Sequence, residues 1–268
     1  MQISGKTALV TGATGGLGTA IAKELALRGA TVVVSSRKQA ELEALAASLP
    51  GDGHRAVVAE LGEDGAGERL IADAEQAGPV DIFVANAGLP GSGRFEELSE
   101  EDITRVLRVN LEAPIRASRA LLPAMLERGS GHFVYVSSLA GKVPSPRAAM
   151  YNASKFGLRG FTLALRQDLR GTGVGASLVL PGFIRDAGMF ADAEMKPPPG
   201  MGTSTPEKVA EAVVRAVETN KAEFVVAPPQ ARAVSALGSS FPSVAAAFQR
   251  GAGERIAEEL ASKQTEKR

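Results

Sequence analysis

Three polar residues in the middle of the chain could together transfer a proton. Ser138 follows an apolar run, and Tyr151 and Lys155 are four residues apart. If Tyr151 opens a helix, these two side chains lie on one face and can touch. A phenol, with a pKa of about 10, is a weak base near neutral pH, but a neighbouring ammonium group favours its phenolate. With a carbonyl oxygen held by Ser138, this group predicts interconversion of a carbonyl and an alcohol.

The same four-residue spacing also occurs on exposed polar helix faces, so the rest of the chain must decide its meaning. The 268 residues include 30 basic and 30 acidic ones, a balance that gives no sign of nucleic-acid binding. With no cysteine and only two histidines, the chain is not expected to bind a metal. It has neither a signal-peptide pattern nor an apolar run of about 18 residues, so we expect a cytoplasmic protein without an integral membrane segment.

A glycine-rich turn stands between the first predicted strand and the first predicted helix. The strand is the apolar run at residues 7–10, and the helix ends at Gly29. Glycines allow the backbone to turn tightly and approach a pyrophosphate, and a helix N-terminus favours that negative charge. A plain glycine-rich turn is the alternative, but the strand and helix on either side favour a dinucleotide. The expected contacts are Gly12, Thr14, Gly15, Gly16, Leu17 and Gly18.

The end of the second predicted strand indicates which dinucleotide is bound. An acidic residue there would bind the ribose 2'-hydroxyl of NAD, whereas Ser36 and Arg37 suit the 2'-phosphate of NADP. We therefore expect NADP in preference to NAD. The alternative is that Arg37 and Lys38 are only the solvated start of the next helix. After the third strand, Glu60 and Leu61 are expected near the adenine, although Glu60 could equally be a surface carboxylate.

Strands and helices alternate along the chain. We predict helices at 38–49, 68–77 and 205–220, and strands at 31–38, 56–59, 81–85, 132–136, 175–180 and 223–227. A further helix starts near residue 99 and should bend at Pro114. Strict alternation predicts an α/β fold with a doubly wound parallel sheet, Rossmann-like, whose ligands bind at the carboxyl ends of the strands.

The order of these motifs resembles the short-chain dehydrogenase/reductase family, in its compact single-domain branch, over residues 1 to about 185. The matching residues are Thr11, Gly12, Gly16, Gly18, Asn86, Ala87, Gly88, Asn110, Ser138, Tyr151, Lys155, Pro181 and Gly182. The resemblance implies that Tyr151 is the acid/base and that Ser138 orients the carbonyl. It also implies that Lys155 lowers the pKa of Tyr151 and holds the nicotinamide ribose, while Asn110 anchors a water in a proton relay.

The resemblance also implies further contacts with the cofactor. The turn formed by Asn86, Ala87 and Gly88 would support the sheet beside it, and Pro181, Gly182 and Ile184 would line it after the sixth strand. The sequence departs from the family at two places. Gly15 stands where NADP-binding members often carry a basic residue, and Arg185 with Asp186 stands where the family usually has a threonine.

We predict one catalytic domain at 1–228, with a substrate lid at about 183–205, and a helical extension at 229–268 packed on it. Methionines in the lid would suit a bulky apolar substrate, although an ordinary loop is the alternative. The extension, with a helix at 254–263, could cover the substrate pocket, pack against a second subunit or rest on a lipid surface. The first two are favoured.

The expected function is NADP-dependent hydride transfer between nicotinamide and a carbonyl or secondary alcohol of a fairly apolar substrate, in the direction of reduction. A non-catalytic dinucleotide-binding regulator of the same fold is the alternative, but the intact Ser138, Tyr151 and Lys155 argue against it. A sugar-nucleotide epimerase or dehydratase would normally carry a larger C-terminal domain. We expect a homodimer or homotetramer.

Overall fold

A parallel sheet of seven strands organises the part of the chain that the structure describes. The structure, a computed structural model, describes residues 1–191, 201–241, 243 and 258. Its strands are β1 (Thr7–Thr11), β2 (Thr31–Ser36), β3 (Arg55–Val58), β4 (Ile82–Ala85), β5 (Gly131–Val136), β6 (Val174–Pro181) and β7 (Glu223–Val226). They lie in the order β3-β2-β1-β4-β5-β6-β7, and every neighbouring pair is parallel. The doubly wound, Rossmann-like α/β fold predicted from the sequence is confirmed.

Helices cover both faces of the sheet. They are α1 (Gly16–Leu27), α2 (Gln39–Ser48), α3 (Ala66–Ala74), α4 (Glu100–Leu107), α5 (Ala113–Arg128), α6 (Ala149–Asp168), α7 (Gly188–Ala191), α8 (Pro206–Thr219) and α9 (Pro229–Ser240). One core joins α1, α2 and α8 to the sheet, and the other joins α3, α5 and α6 to the opposite face. Because both faces are covered, strands such as β2 are apolar at consecutive positions rather than at alternate ones.

The strand order reverses at β1, which has β2 on one side and β4 on the other. Val10 pairs with Val34 of β2 and with Val84 of β4. Helices that follow these strands cross to opposite faces, so a crevice opens at the carboxyl ends of β1 and β4. The glycine-rich turn follows β1 and the turn that begins at Asn86 follows β4. Both predicted cofactor motifs therefore lie at this crevice.

The bend expected at Pro114 lies earlier in the chain. Residues 108–112 form a π-helix between α4 and α5, and Asn110 is at its centre. Pro114 instead lies in the first turn of α5, where its missing N–H costs little. Placing the irregularity at the proline was therefore wrong. A π turn inserts one extra residue and is often found at functional sites, and here it turns Asn110 inward, where it is 1% exposed.

The C-terminal extension begins with helix α9. Its inner side carries the small buried residues Ala231, Ser235 and Gly238. Of the rest of the extension, Glu258 forms an ion pair of 2.8 Å with Arg147. Residues 192–200 of the lid expected at about 183–205, and most of the helix expected at 254–263, lie outside the described residues. Within the described ranges, none of the helices combines the length and apolar character that a membrane span requires.

Candidate active site

Ser138 and Tyr151 meet where β5 ends and α6 begins. Ser138 lies just past β5, and its Oγ accepts a hydrogen bond from Ala140 N at 3.1 Å. Tyr151 is in the first turn of α6 and hydrogen-bonds to Ser138. Burial of the phenol raises the pKa of Tyr151, and the bond with Ser138 only partly opposes that rise. The two hydroxyls are thus held together, with Tyr151 protonated near neutral pH.

Lys155 lies beneath this pair and is 3% exposed. Its Nζ is 5.6 Å from the centroid of the Tyr151 ring and donates to Val136 O at 3.2 Å. Burial lowers the pKa of Lys155 to about 8. The expected contact across one helical turn is therefore present. Burial raises the pKa of Tyr151, which is the opposite direction to the lowering expected from Lys155.

Asn110 is buried between the β4 turn and α6. Its Nδ2 donates to Leu89 O at 2.9 Å and to Ser154 Oγ at 3.1 Å, and its Oδ1 accepts from Leu89 N at 2.7 Å. Ser154 Oγ in turn donates to Tyr151 O at 2.8 Å. Both N–H donors of the amide are thus used within the protein. Asn110 therefore braces the start of α6.

The glycine-rich turn is shaped to receive a phosphate group. Gly12 has φ of 63°, a left-handed conformation that favours glycine. Gly18 brings α1 against this turn, since a Cβ there would lie 2.2 Å from Gly12 O. Gly15 precedes α1 and provides no capping side chain, so the first N–H groups of the helix, at Gly16 and Leu17, can face a ligand. These residues fit the pyrophosphate of a dinucleotide.

The turn after β4 supports the glycine-rich turn directly. Asn86 Nδ2 donates to Thr11 O at 3.0 Å and to Gly12 O at 3.2 Å. Thr11 Oγ1 accepts from the backbone N–H groups of Asn86 and Ala87 at 3.0 and 3.1 Å. Gly88 follows, and a Cβ there would lie 3.5 Å from Lys155 Nζ. The β4 turn therefore connects the phosphate region to the Tyr151 region.

The residues predicted to bind the adenosine part of the cofactor lie around the end of β2. Thr14 Oγ1 donates to Ser36 Oγ at 3.1 Å, next to the glycine-rich turn. Arg37 forms an ion pair of 3.6 Å with Glu60. Both side chains are well exposed, at 56% and 40%, so the pair is weak and a phosphate could replace the carboxylate. The Lys38 backbone N–H donates to Ser36 Oγ at 3.5 Å, while the Lys38 side chain pairs with Glu41 at 2.7 Å in the first turn of α2.

Leu61 and Glu60 have different surroundings. Leu61 is partly buried and packs against the core on the α3 side of the sheet. Glu60 uses its other oxygen, Oε1, to accept from Gly62 N at 3.1 Å. Glu60 therefore stays at the crevice, while Leu61 contributes mainly to packing.

The segment after β6 reaches back over the glycine-rich turn. Gly182 N donates to Val226 O at 3.0 Å and fixes the end of β6 to β7, directly after Pro181. Ile184 is 4% exposed and forms an isolated bridge with Ser204. A Cβ on Gly16 would lie only 2.3 Å from Ala187 Cβ. Residues 185–188 therefore border the cofactor crevice.

The two unusual residues in this segment are exposed. Arg185 Nε lies 3.2 Å from Asp186 Oδ2, and their side chains are 61% and 73% exposed. Asp186 has φ of 67°, a strained conformation for a residue other than glycine. The pair occupies the turn between Ile184 and Ala187.

Three residues that contribute to the site were not among the predicted contacts. Thr11 and Ser154 supply buried hydroxyls that hold Asn86 and Asn110. Thr11 directly precedes the glycine motif and Ser154 directly precedes Lys155, so position in the sequence could have indicated both. Ala187 gave no signal, because its contact with the glycine-rich turn depends on how the segment folds back.

The fold and the site define a dinucleotide-binding oxidoreductase of the Rossmann-like class. The family model for short chain dehydrogenase matches residues 6–197. The chain belongs to the short-chain dehydrogenase/reductase family and is an NAD(P)-dependent enzyme of that family.

Similar proteins include several reductases. Over 228 residues the chain is 40% identical to ketoacyl reductase HetN of Nostoc sp., covering 84% of this chain and 79% of that relative. It is 40% identical over 187 residues to dehydrogenase/reductase SDR family member 4 of Homo sapiens, covering 68% and 67%.

The solved structures with the same fold include two reductases. One is a 3-oxoacyl (acyl-carrier-protein) reductase from Agrobacterium tumefaciens with NADP bound, at 27% identity and TM-score 0.75, covering 84% of this chain and 93% of that chain. The other is a variant of actinorhodin polyketide ketoreductase with NADPH, at 32% identity and TM-score 0.76, covering 86% and 98%.

Proposed function

We propose that this protein is an NADP-dependent reductase that converts a ketone of a fairly apolar substrate into a secondary alcohol. The observation that carries the proposal is the hydrogen bond between Ser138 and Tyr151 above buried Lys155. This trio lies at the same edge of the sheet as the glycine-rich turn. A carbonyl oxygen beside the two hydroxyls would be near a bound dinucleotide.

Tyr151 is proposed as the proton donor. Because burial raises its pKa, the phenol is protonated at neutral pH, which is the form that reduction requires. Ser138 would hold the carbonyl oxygen next to that proton. Bound NADPH would supply the hydride to the carbonyl carbon. The protein contributes orientation and a partly desolvated site, in which hydrogen bonds to the developing alkoxide are stronger than in water.

Lys155 and Asn110 are proposed to support this step. With a pKa of about 8, Lys155 is mostly protonated at pH 7 and can stabilise negative charge on Tyr151 after proton transfer. Its Nζ lies close to Gly88 at the crevice, where it could also hold the nicotinamide ribose. Asn110 would keep α6 in place and support return of a proton to Tyr151 through a water.

NADP is proposed as the cofactor because of Ser36 and Arg37 at the end of β2. Arg37 faces only a weak carboxylate partner, Glu60, and a 2'-phosphate carries more charge than that carboxylate. The NADP and NADPH in the structures of the two solved reductases support the same choice. Lys38 is bound to its own helix and would contribute less.

A ketoacyl substrate is the proposed class. Two of the similar proteins are named as ketoacyl reductases, and an acyl chain matches the apolar substrate expected from the methionines after β6. Exposed Leu126 on α5 and Phe156 on α6, at 40% and 39%, support the further proposal of a homodimer or homotetramer. Light scattering would test the oligomeric state.

The central experiment compares Tyr151→Phe with Tyr135→Phe. The chain has two tyrosines, and Tyr135 is buried in the core with its hydroxyl on Ser118 at 2.6 Å. Oxidation of NADPH is followed with ketoacyl thioesters and simple ketones of graded chain length. We expect Tyr151→Phe to lower kcat by at least about 100-fold, because the proton donor is lost, while NADPH affinity changes by less than about 2-fold. Tyr135→Phe should keep kcat.

Full activity of Tyr151→Phe would contradict the mechanism. Absence of turnover by the wild type on every substrate would favour the non-catalytic regulator instead.

Arg37→Ala tests the cofactor proposal, with Lys38→Ala as its control. NADPH and NADH are titrated by fluorescence. We expect Arg37→Ala to remove the preference for NADPH and Lys38→Ala to retain most of it, because the Lys38 side chain is paired with Glu41 at 2.7 Å, whereas Arg37 holds a looser pair of 3.6 Å with Glu60. Equal affinities of the wild type for both cofactors would refute the assignment.

A further inference from the structure

A half-buried ion cluster lies behind the Ser138 turn, outside the residues assigned above. Glu223 is the first residue of the edge strand β7, and its carboxylate pairs with two cations. Lys142 Nζ lies 3.0 Å from Oε2, and Arg159 Nε lies 2.5 Å from Oε1. The side chains of Lys142, Arg159 and Glu223 are 15%, 29% and 20% exposed, so their attraction is screened less than that of surface pairs. We call these three residues the Glu223 cluster.

Lys142 connects this cluster to Ser138. It directly follows the one-turn 3-10 helix Leu139–Gly141, which Ser138 caps. Gly141 N donates to Ser138 O and Lys142 N donates to Leu139 O, both at 2.9 Å. Because these bonds close the turn, a shift of Lys142 would move Ser138 with it. The turn also touches α6, since a Cβ on Gly141 would lie 2.8 Å from Lys155 O.

Arg159 connects the cluster to α6. It lies one helical turn after Lys155 and two turns after Tyr151, so it belongs to the same stretch of helix. The alternation of β7 puts Glu223 on the same side as Val225, which packs against the core beneath α6. The carboxylate therefore approaches Arg159 from the sheet.

We propose that Glu223 is a positioning residue that fixes the Ser138 turn relative to the start of α6. By binding Lys142 and Arg159 at once, it sets the distance between the hydroxyls of Ser138 and Tyr151. The proposal rests on the proposed function, because this distance matters only if both hydroxyls contact one carbonyl oxygen.

The carboxylate must be charged for this role. Burial raises the pKa of Glu223, but the hydrogen bonds from Arg159 and Lys142 outweigh it and hold the pKa below its usual value. Glu223 is thus ionised at neutral pH. Without it, two half-buried cations would repel each other and separate, and the turn and the helix would separate with them.

Glu223→Gln tests the proposal, since it removes the charge and keeps the shape. With the best ketone of the substrate screen, we expect kcat to fall about 10-fold or more, because a displacement of about 1 Å can cost about 100-fold. The affinity for NADPH should change by less than about 2-fold, because the glycine-rich turn is untouched.

Glu24→Gln is the matched control. Glu24 is 23% exposed and pairs with Arg28 at 3.0 Å on the last turns of α1, away from Ser138. The kcat of the Glu24→Gln variant should equal that of the wild type.

A double-mutant cycle separates positioning from general damage. If Glu223 acts through Lys142, then Lys142→Met lowers kcat as well, and adding Glu223→Gln causes little further loss because the same link is already broken. Additive losses would overturn the proposal. Glu223→Asp keeps the charge but is shorter, so we expect a partial loss of kcat. It also provides the test if Glu223→Gln does not fold.

The outcomes distinguish this proposal from the proposed function. If the wild type turns over a ketone and kcat is unchanged in Glu223→Gln, the role of Glu223 is overturned and the proposed function stands. The same holds for Glu223→Asp if only that variant folds. A loss of kcat accompanied by an equal loss of NADPH affinity and of folded protein also overturns it. A wild type that reduces no ketone overturns both.

Discussion

Lys155 should lower the stability of the cofactor-free protein, so Lys155→Met should be more stable than the wild type. Burial lowers the pKa of Lys155 from 10.5 to about 8. Each unit corresponds to about 1.4 kcal/mol, so keeping this lysine charged costs about 3 kcal/mol. Methionine has a similar shape and no charge, but it leaves Val136 O without its hydrogen bond, at a cost of about 1 kcal/mol. The net gain should be about 2 kcal/mol at pH 7.

The assay is urea unfolding of cofactor-free wild type and variant between pH 7 and 10.5. Below pH 8 Lys155 is protonated in both the folded and the unfolded wild type, so the full free-energy cost of burying its charge is present. Between about pH 8 and 10.5 Lys155 stays protonated in the unfolded state alone. The free energy of unfolding of the wild type therefore rises by about 1.4 kcal/mol per pH unit relative to the variant. The advantage of Lys155→Met should therefore shrink through this window. At pH 7 the gain of about 2 kcal/mol corresponds to about 5 °C in Tm.

Lys208→Met is the control, because Lys208 is exposed on α8 and bears no burial cost. It should leave stability nearly unchanged. A Lys155→Met protein that is less stable than the wild type at pH 7, or a difference that does not change with pH, would refute the reasoning. The variant should also be inactive, so stability and activity should move in opposite directions.

Two further predictions follow from buried groups. Burial lowers the pKa of His132 to about 3, so the unfolded state binds more protons below pH 6.5 and wild-type stability should fall by about 2 kcal/mol between pH 6.5 and 5. In urea titrations at pH 6.5 and 5, His132→Gln should not show the loss of unfolding free energy that comes from His132. A loss equal to that of the wild type would contradict this prediction. Gly18→Ala should unfold more easily and bind NADPH poorly, because its Cβ would lie 2.2 Å from Gly12 O. Gly15→Ala, whose Cβ would lie 3.4 Å from the same atom, should be tolerated, and equal effects in thermal unfolding and NADPH titration would argue against this steric account.

Local sequence accounts for most elements and for the position of the motifs. Apolar runs such as Val32 to Val34 predict buried strands, and glycines at the end of β1 predict the phosphate turn, because both depend on neighbouring residues alone. The prediction that the helix bends at Pro114 was wrong. Pro114 is tolerated in a first helical turn, while the π turn around Asn110 is held by contacts with Leu89 and Ser154, which are distant in the chain.

The sequence by itself determined the fold class, the family and the types of residue at the site, since spacing along the chain fixes which side chains reach the carboxyl edge of the sheet. Tertiary structure decided how those residues behave. The pKa of Tyr151 rises rather than falls because the folded chain buries the phenol, and the hydrogen bond with Ser138 only partly opposes that rise. Ala187 meets Gly16, and Glu223 meets Lys142 and Arg159, only after the chain has folded. Charge and distance in three dimensions set these energies, and neither can be derived from local spacing.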